Sequence, residues 1–268
     1  ASFATYSIVA SFISRVASKN SCLWGHADYY TLFGNDKVKM KKFFKKINYN
    51  KFKHVIFVSK EGKSSFLNIF PEMKEKTLVC NNLIDSKKIK KLAEEKVNEK
   101  KDEGITTFIN VGRHDEKQKK LTRIIEVAKR LKMNGYRFKM LWIGDGPDSN
   151  FYKEEIRKNK LQENIELLGR KQNPYPYFKI SDCVILTSDY EGYPVVFLES
   201  FILNKPIITT KVSDYEQVEG KYGYVTDKSI EDIYEKMKLF IEKGFDIKQE
   251  FDANQYNSEI IKKLERIF

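Results

Sequence analysis

A chain of 268 residues, 41% hydrophobic and 32% charged, has the length and balance of an ordinary globular protein with one large or two small domains. No apolar run approaches the ~20 residues that span a bilayer, which argues against an integral membrane protein. The net charge of +12 favours anionic partners (phosphorylated small molecules, nucleic acid or anionic headgroups) without choosing among them.

Three cysteines, Cys22, Cys80 and Cys183, are far apart, odd in number and embedded in apolar stretches. They read as reduced core thiols of a cytosolic protein. The histidines His26, His54 and His114 are scattered, and no Cys/His spacing fits a metal, so no metal site is expected.

The chain begins at Ala1 with no methionine, signal peptide or obvious first element, which leaves two readings open: an upstream region missing from the molecule, or one missing only from this chain. Strands are predicted over 21–26, 54–59 and 77–80. Met40, Phe43, Phe44 and Ile47 fall at i, i+3, i+4 and i+7, which predicts an amphipathic helix with a lysine-rich outer face. Eight lysines and no acid lie between Lys37 and His54. That face has two readings: attachment to an anionic membrane with Phe43 or Phe44 below the lysines, or aromatics in the core and lysines simply solvated. A second helix is predicted over 61–70. Residues 86–103 hold seven lysines and four glutamates and read as a helix and linker between two halves.

From Ile105 the pattern is regular. Strands are predicted over 105–111, 138–143, 165–168, 183–187, 206–210 and 222–225, and helices over 121–134, 151–160, 195–203 and 230–243, with a short helix or turn over 174–180. Leu121, Ile124, Ile125, Ala128 and Leu131 have helical spacing, and Gly135 suits a helix stop. Gly144-Asp145-Gly146-Pro147 is a turn signal. Alternation of this kind makes an α/β protein whose parallel sheet is covered on both faces. The expected division is a partial Rossmann-like domain over 1–86, a linker over 87–104, a nucleotide-binding Rossmann-like domain over 105–243, and a C-terminal helical segment over 244–268.

The segment Ser188-Asp189-Tyr190-Glu191-Gly192-Tyr193-Pro194-Val195-Val196-Phe197-Leu198-Glu199 follows a strand and opens a helix. Open α/β sheets bind ligands at such a strand end. Backbone N–H groups at the helix start, around Tyr193–Val195, suit a phosphate, and a carboxylate one turn further in suits a ribose diol. Two glutamates at this spacing also fit a solvated loop acid and a helix acid with no function. Arg113, at the end of the first strand, and Lys119, in the basic loop after it, offer a planar fork and a point charge to a diphosphate; either is also explicable as surface charge.

Taken in order, Val111-Gly112-Arg113 with Lys119, Ile143-Gly144-Asp145-Gly146-Pro147, Leu167-Leu168-Gly169, Ser181-Asp182 and Ser188-x-x-Glu191-Gly192-x-Pro194-x-x-x-x-Glu199 resemble family 4 of the retaining glycosyltransferases, which have the GT-B fold of two Rossmann-like domains. The resemblance runs through nearly all of residues 105–243. It implies that Glu191 contacts donor-sugar hydroxyls, Glu199 binds the ribose, Arg113 and Lys119 neutralise the donor diphosphate, and the backbone at Gly169 and Arg170 lies near the base. Leu23-Trp24-Gly25-His26-Ala27-Asp28 resembles the family's strand-end His segment, which makes His26 a candidate near the sugar or acceptor. Asp28 is explained equally well as a helix N-cap. The family's opening strand and Gly-rich loop have no counterpart in residues 1–86.

The resemblance implies transfer of a sugar from a nucleoside diphosphate sugar, UDP-sugar by preference, to a hydroxyl of a glycan or lipid-linked acceptor in cell-surface polysaccharide synthesis. Configuration would be retained, and Arg113, Lys119 and the helix start after Gly192 would stabilise the leaving diphosphate without a metal or other cofactor. Location is expected to be cytoplasmic, with peripheral contact at the inner membrane face. The rival readings are a dinucleotide-dependent dehydrogenase, a non-catalytic subunit supporting a partner transferase, and a nucleic-acid-binding protein. Gly144-Asp145-Gly146-Pro147-Asp148-Ser149 lacks the third glycine a dehydrogenase needs, and no nucleic-acid-binding module is present.

Overall fold

A computed structural model describes residues 8–16 and 21–267; the start at Ala1 lies outside the described residues. The chain divides into two units. One takes in the described residues up to Leu83 together with Tyr190–Pro194 and residues 254–267, and the other takes in residues 84–189 and 195–253.

In the first unit, helix α1 (Ile8–Val16) precedes strand β1 (Cys22–Gly25) and the short helix α2 (Tyr29–Leu32). No element is legible in the sequence before residue 21, yet α1 forms there, with its Ala10 fully buried. Helix α3 (Lys37–Lys46), strand β2 (His54–Phe57), helix α4 (Lys60–Leu67) and strand β3 (Thr77–Val79) follow. The three strands form a parallel sheet in the order β1-β2-β3. Asp36 caps α3 by accepting from the N–H groups of Val38 and Lys39 at 2.9 and 3.0 Å, which satisfies two donors that a helix start leaves open. Met40, Phe44 and Ile47 are buried with Tyr29, Phe57, Phe66 and Phe70, and Phe43 stacks on Tyr29. The core therefore takes the aromatic face of α3, and Phe44 is not available to a membrane.

The second unit opens with helix α5 (Ser86–Ala93) and strand β4 (Thr106–Val111). Then come α6 (Glu116–Lys119), α7 (Thr122–Met133), β5 (Phe138–Ile143), α8 (Ser149–Lys158), β6 (Ile165–Gly169), α9 (Tyr175–Ile180), β7 (Cys183–Leu186), α10 (Val195–Ile202), β8 (Ile207–Thr210), β9 (Gly223–Thr226) and α11 (Ile230–Lys243). The six strands pair in parallel in the order β6-β5-β4-β7-β8-β9. Trp142, Phe108, Met140, Leu131 and Cys183 fill its core. Five buried side chains of α7, from Ile124 to Leu131, lie at helical spacing, and the helix stops in a Schellman turn. Gly135 takes φ +78, its N–H donates to Lys132 O, and the Tyr136 N–H reaches back to Leu131 O.

Residues 87–104 are not a free connection. Asn173 donates to Leu92 O and Glu95, Lys171 pairs with Glu99, Lys101 with Asp182, and Lys139 with Asp102. The stretch expected to link two halves is thus built into the second unit. Helix α12 (Ala253–Glu265) lies, from residue 254 onward, with the first unit. There Tyr256 donates to Asn82 O at 3.0 Å, and Lys53 Nζ donates to Ile267 O at 3.0 Å. Among the described residues no helix is long and apolar enough to cross a membrane.

Candidate functional site

The strand order of the second unit fixes where a ligand can sit. The chain winds outward from β4 through β5 to β6, then returns to the far side of β4 as β7 and winds the other way. Connections leaving β4 and β7 diverge, and a crevice opens beyond their carboxyl ends. The two strands pair only at Phe108↔Cys183 and Ile109↔Val184. Beyond that register the buried Asn110 side chain takes over, donating to Ile185 O at 2.8 Å. The segments that leave this point are Gly112–Lys120 after β4 and Thr187–Asp189 after β7.

Glycines let the first of these loops lie against its neighbours. A Cβ on Gly144 would stand 1.8 Å from Gly112 O, and one on Gly146 would stand 2.3 Å from His114 O. The Gly112 N–H donates to Ile143 O, the His114 N–H to Asp145 O, and the Gly144 N–H to Gly169 O. Three strand ends are thereby drawn into one rim around a cavity of about 440 Å³, lined among others by Gly112, Arg113, Asp145 and Arg170. Arg113 is 60% exposed; it pairs with Asp115 at 2.8 Å and donates to Gln118 at 3.2 Å. Lys119 runs back over the strand end, its Cε and Nζ 3.4 and 3.6 Å from where a Gly112 Cβ would be. The end of the Lys119 side chain therefore lies in van der Waals reach of residue 112. Gly169 ends β6 at φ +67, and Arg170 is exposed beside it.

Asp145 is held below the usual carboxylate range, first by the Ser149 hydroxyl and then by the Gly146 N–H. Ser149 Oγ donates to Asp145 at 2.6 Å, so its 2.9 Å contact with His114 Nδ1 must be a bond that it accepts. His114 is then the Nδ1–H tautomer, buried, with Nε2 lacking a hydrogen-bond partner among the described residues. Burial lowers its pKa, so this ring is neutral at neutral pH. His114 was only a scattered histidine in the sequence; here it underpins the rim.

Glu199 lies on α10 and accepts from the Tyr175 hydroxyl at 3.0 Å. Burial raises its carboxyl pKa, and the Tyr175 bond offsets part of that rise. A half-buried carboxyl with one oxygen engaged suits an acceptor for paired hydroxyls. Val195 begins α10, following the buried Pro194. Nothing in the spacing of Pro174-Tyr175-Pro176 marks Tyr175 as the partner of a residue 24 positions on.

The remaining candidates belong to the first unit. Glu191 is 7% exposed and Tyr193 8%. A Cβ on Gly192 would meet His26 O at 2.0 Å, so the loop lies on the backbone that leaves β1. His26 is exposed and stacks on Trp24 at 6.2 Å. Tyr256 spends its proton on Asn82 O, so the 2.8 Å contact between Tyr193 and Tyr256 is a donation from Tyr193. This chain of hydroxyls ties the loop to α12. The structure thus gathers Arg113 and Arg170 on one rim with Lys119 beside Gly112, sets Tyr175 on Glu199, and puts His26 with Glu191 and Gly192 in the other unit. Among the described residues no cluster of three His, Cys, Asp or Glu could hold a metal ion.

The family model described as glycosyl transferases group 1 matches residues 87–258, more than half of the chain, and the protein belongs to that family. An uncharacterized glycosyltransferase of Methanocaldococcus jannaschii is 33% identical over 161 residues, 58% of this chain and 39% of that protein. The amylovoran biosynthesis glycosyltransferase AmsD of Erwinia amylovora is 30% identical over 125 residues, 46% of this chain and 33% of that one. The matched stretch spans less than two fifths of either relative's length. The fold is that of the Anabaena protein HepE solved with UDP and glucose, at a TM-score of 0.76 and 17% identity over 96% of this chain and 74% of that one. With a parallel sheet in each unit, this is the GT-B class of α/β fold.

Proposed function

We propose that the second unit binds a nucleoside diphosphate sugar and that the chain belongs to a retaining glycosyltransferase of cell-surface polysaccharide synthesis. The observation that carries this reading is the convergence of Arg113, Lys119 and Arg170 on the strand ends at the switch point, in the same unit as the half-buried Glu199. Cations at developing negative charge stabilise a departing diphosphate without a metal. Glu199 accepts from the ribose hydroxyls, Gly169 and Arg170 border the base, and the Val195 N–H at the start of α10 offers a second phosphate contact. Glu191 and His26 serve the sugar and the acceptor. A uridine base is preferred because the fold neighbour HepE was solved with UDP and glucose. The acceptor is a glycan or lipid-linked hydroxyl, in keeping with the amylovoran relative.

Peripheral contact with an anionic membrane rests on a cavity of about 450 Å³ lined by Lys37, Lys41, Lys42 and Lys45, beside the exposed Val38. Liposome sedimentation with and without anionic lipid tests it; the contact is excluded if sedimentation does not depend on anionic lipid.

The reading is tested by thermal shift with UDP, GDP, ADP and NAD at matched concentrations, for the native chain and Glu199→Ala. A ligand that binds only the folded form at 100 times its Kd adds ~2.7 kcal/mol of stability. Stabilisation by one nucleoside diphosphate that disappears in the variant is the expected result. No shift with any diphosphate would favour a non-catalytic subunit that keeps the fold.

A further inference from the structure

The motif Ser188-Asp189-Tyr190-Glu191 contains an acid to which the reading above gives no role. Asp189 is the last residue of the second unit before the chain passes to Tyr190–Pro194. Its carboxylate accepts from Arg123 Nη2 at 2.7 Å, its N–H donates to Gln118 O at 2.8 Å, and its carbonyl accepts from Lys228 Nζ at 2.6 Å. Arg123, on α7 and with its side chain 17% exposed, sends its other arm to Thr187 O at 2.8 Å. The Thr187 hydroxyl stands 3.1 and 3.2 Å from the carbonyls of Lys119 and Lys120.

Those contacts add to the bonds within the loop, among them the Lys119 N–H to Asp115 O at 2.7 Å and the Arg123 N–H to Lys120 O at 3.0 Å. Lys120 sits at φ +51, the left-handed region that a residue with a Cβ occupies only where its surroundings enforce it. From the β7 side the turn is braced by Thr187 and Asp189, and both are gripped by the same guanidinium. A planar fork reaches two acceptors at once; an ammonium on the same backbone reaches one. The segments leaving β4 and β7, on either side of the switch point, are thus one hydrogen-bonded body.

We propose that Arg123 and Asp189 are positioning residues that fix the backbone of Lys119 so that its ammonium stands over Gly112, where a donor diphosphate would be met. The proposal rests on the donor reading for its ligand, but not for its geometry. When the clamp is cut, the turn at Lys120 relaxes and Lys119 must be ordered anew at each binding event.

The test compares the native chain with Arg123→Met, Arg123→Lys, Asp189→Asn and the Arg123→Met/Asp189→Asn double variant. Calorimetric titration with UDP and with uridine is run beside amide hydrogen exchange at Asp189. In Arg123→Met, UDP should bind ~10- to 100-fold more weakly, as a misplaced contact costs, with uridine unchanged and the Asp189 amide exchanging faster. Arg123→Lys should fall between, and the double variant should be no weaker than the worse single one, since both cut one network. A general loss of fold would weaken uridine and UDP alike. That outcome overturns the proposal, as do unchanged exchange at Asp189 and unchanged UDP affinity despite faster exchange. If the native chain binds neither UDP, GDP nor ADP, the donor reading fails. Exchange alone then decides whether Arg123 holds the loop.

Discussion

Tyr175 on α9 donates its phenolic hydrogen to Glu199 on α10 across 3.0 Å, while burial pushes the same carboxyl above the ordinary carboxylate range. The two effects oppose each other, and the hydroxyl is the side that favours the charged form. Tyr175→Phe removes it, so the Glu199 pKa rises further and the carboxylate is lost at a higher pH. If Glu199 accepts from a ribose, the acid limb of nucleotide affinity shifts toward neutral pH in the variant. Affinity measured from pH 5 to 8 checks this; an unmoved acid limb would remove Glu199 from the site. Stripping a buried group of its partner should also cost about 1–3 kcal/mol of stability.

Arg113 separates activity from stability. Its side chain is 60% exposed, and its pair with Asp115 is of a kind worth about 0–1 kcal/mol. Arg113→Ala should leave the melting temperature nearly unchanged while sugar transfer falls ~100- to 1000-fold, the usual cost of one lost charge-stabilising donor. Transfer from a labelled nucleotide sugar measures it. Full activity in the variant would remove Arg113 from the leaving-group site.

The parts of the fold legible in the sequence are those where burial and periodicity agree. Strand β5 and helix α11 have the predicted bounds because Phe138–Ile143 is apolar except at Lys139 and Ile230–Lys243 keeps one apolar stripe. Helix α1 was not legible, because Ile-Val-Ala-Ser-Phe-Ile-Ser-Arg-Val mixes β-branched and small polar residues of modest helix propensity. Residues 87–104 read as a linker because their partners, Asn173, Lys171, Asp182 and Lys139, lie far along the chain. The site divides in the same way. Strand-end positions such as Arg113 follow from the alternation of elements. Tyr175 beside Glu199 and Arg123 on Asp189 depend on how loops close, which no local pattern encodes.

His114 predicts how stability depends on pH. Burial is the main cause of its lowered pKa, so the folded chain resists protonation while the unfolded chain takes a proton near about pH 6.5. Above that value both states are neutral and stability is full. Below it the unfolded state binds more protons, and stability falls by up to about 1.4 kcal/mol per pH unit until the folded-state pKa is reached. His54 is lowered in the same direction, again mainly by burial, so His114→Gln should remove only part of the slope. Denaturant midpoints at pH 7.5, 6.5 and 5.5 check this. Identical slopes in native chain and variant would show that His114 is not the buried neutral group.

Gly192 carries a steric prediction about the other unit. A Cβ there would stand 2.0 Å from His26 O and 3.0 Å from Ala27 Cα, both backbone atoms that no rotamer change can move aside. Gly192→Ala must therefore push the loop off the end of β1, at about 1–3 kcal/mol by analogy with overpacked cores. The Tyr193–Tyr256–Asn82 hydroxyl chain anchors the next residue to α12, so the displacement should fall on Glu191 and its neighbours. In Gly192→Ala, transfer should fall while stabilisation by UDP largely persists, because Arg113, Lys119 and Glu199 belong to the second unit. Parallel thermal-shift and transfer assays on the purified variant read both quantities. Equal loss of UDP binding and transfer would mean that the loop serves the diphosphate rather than the sugar.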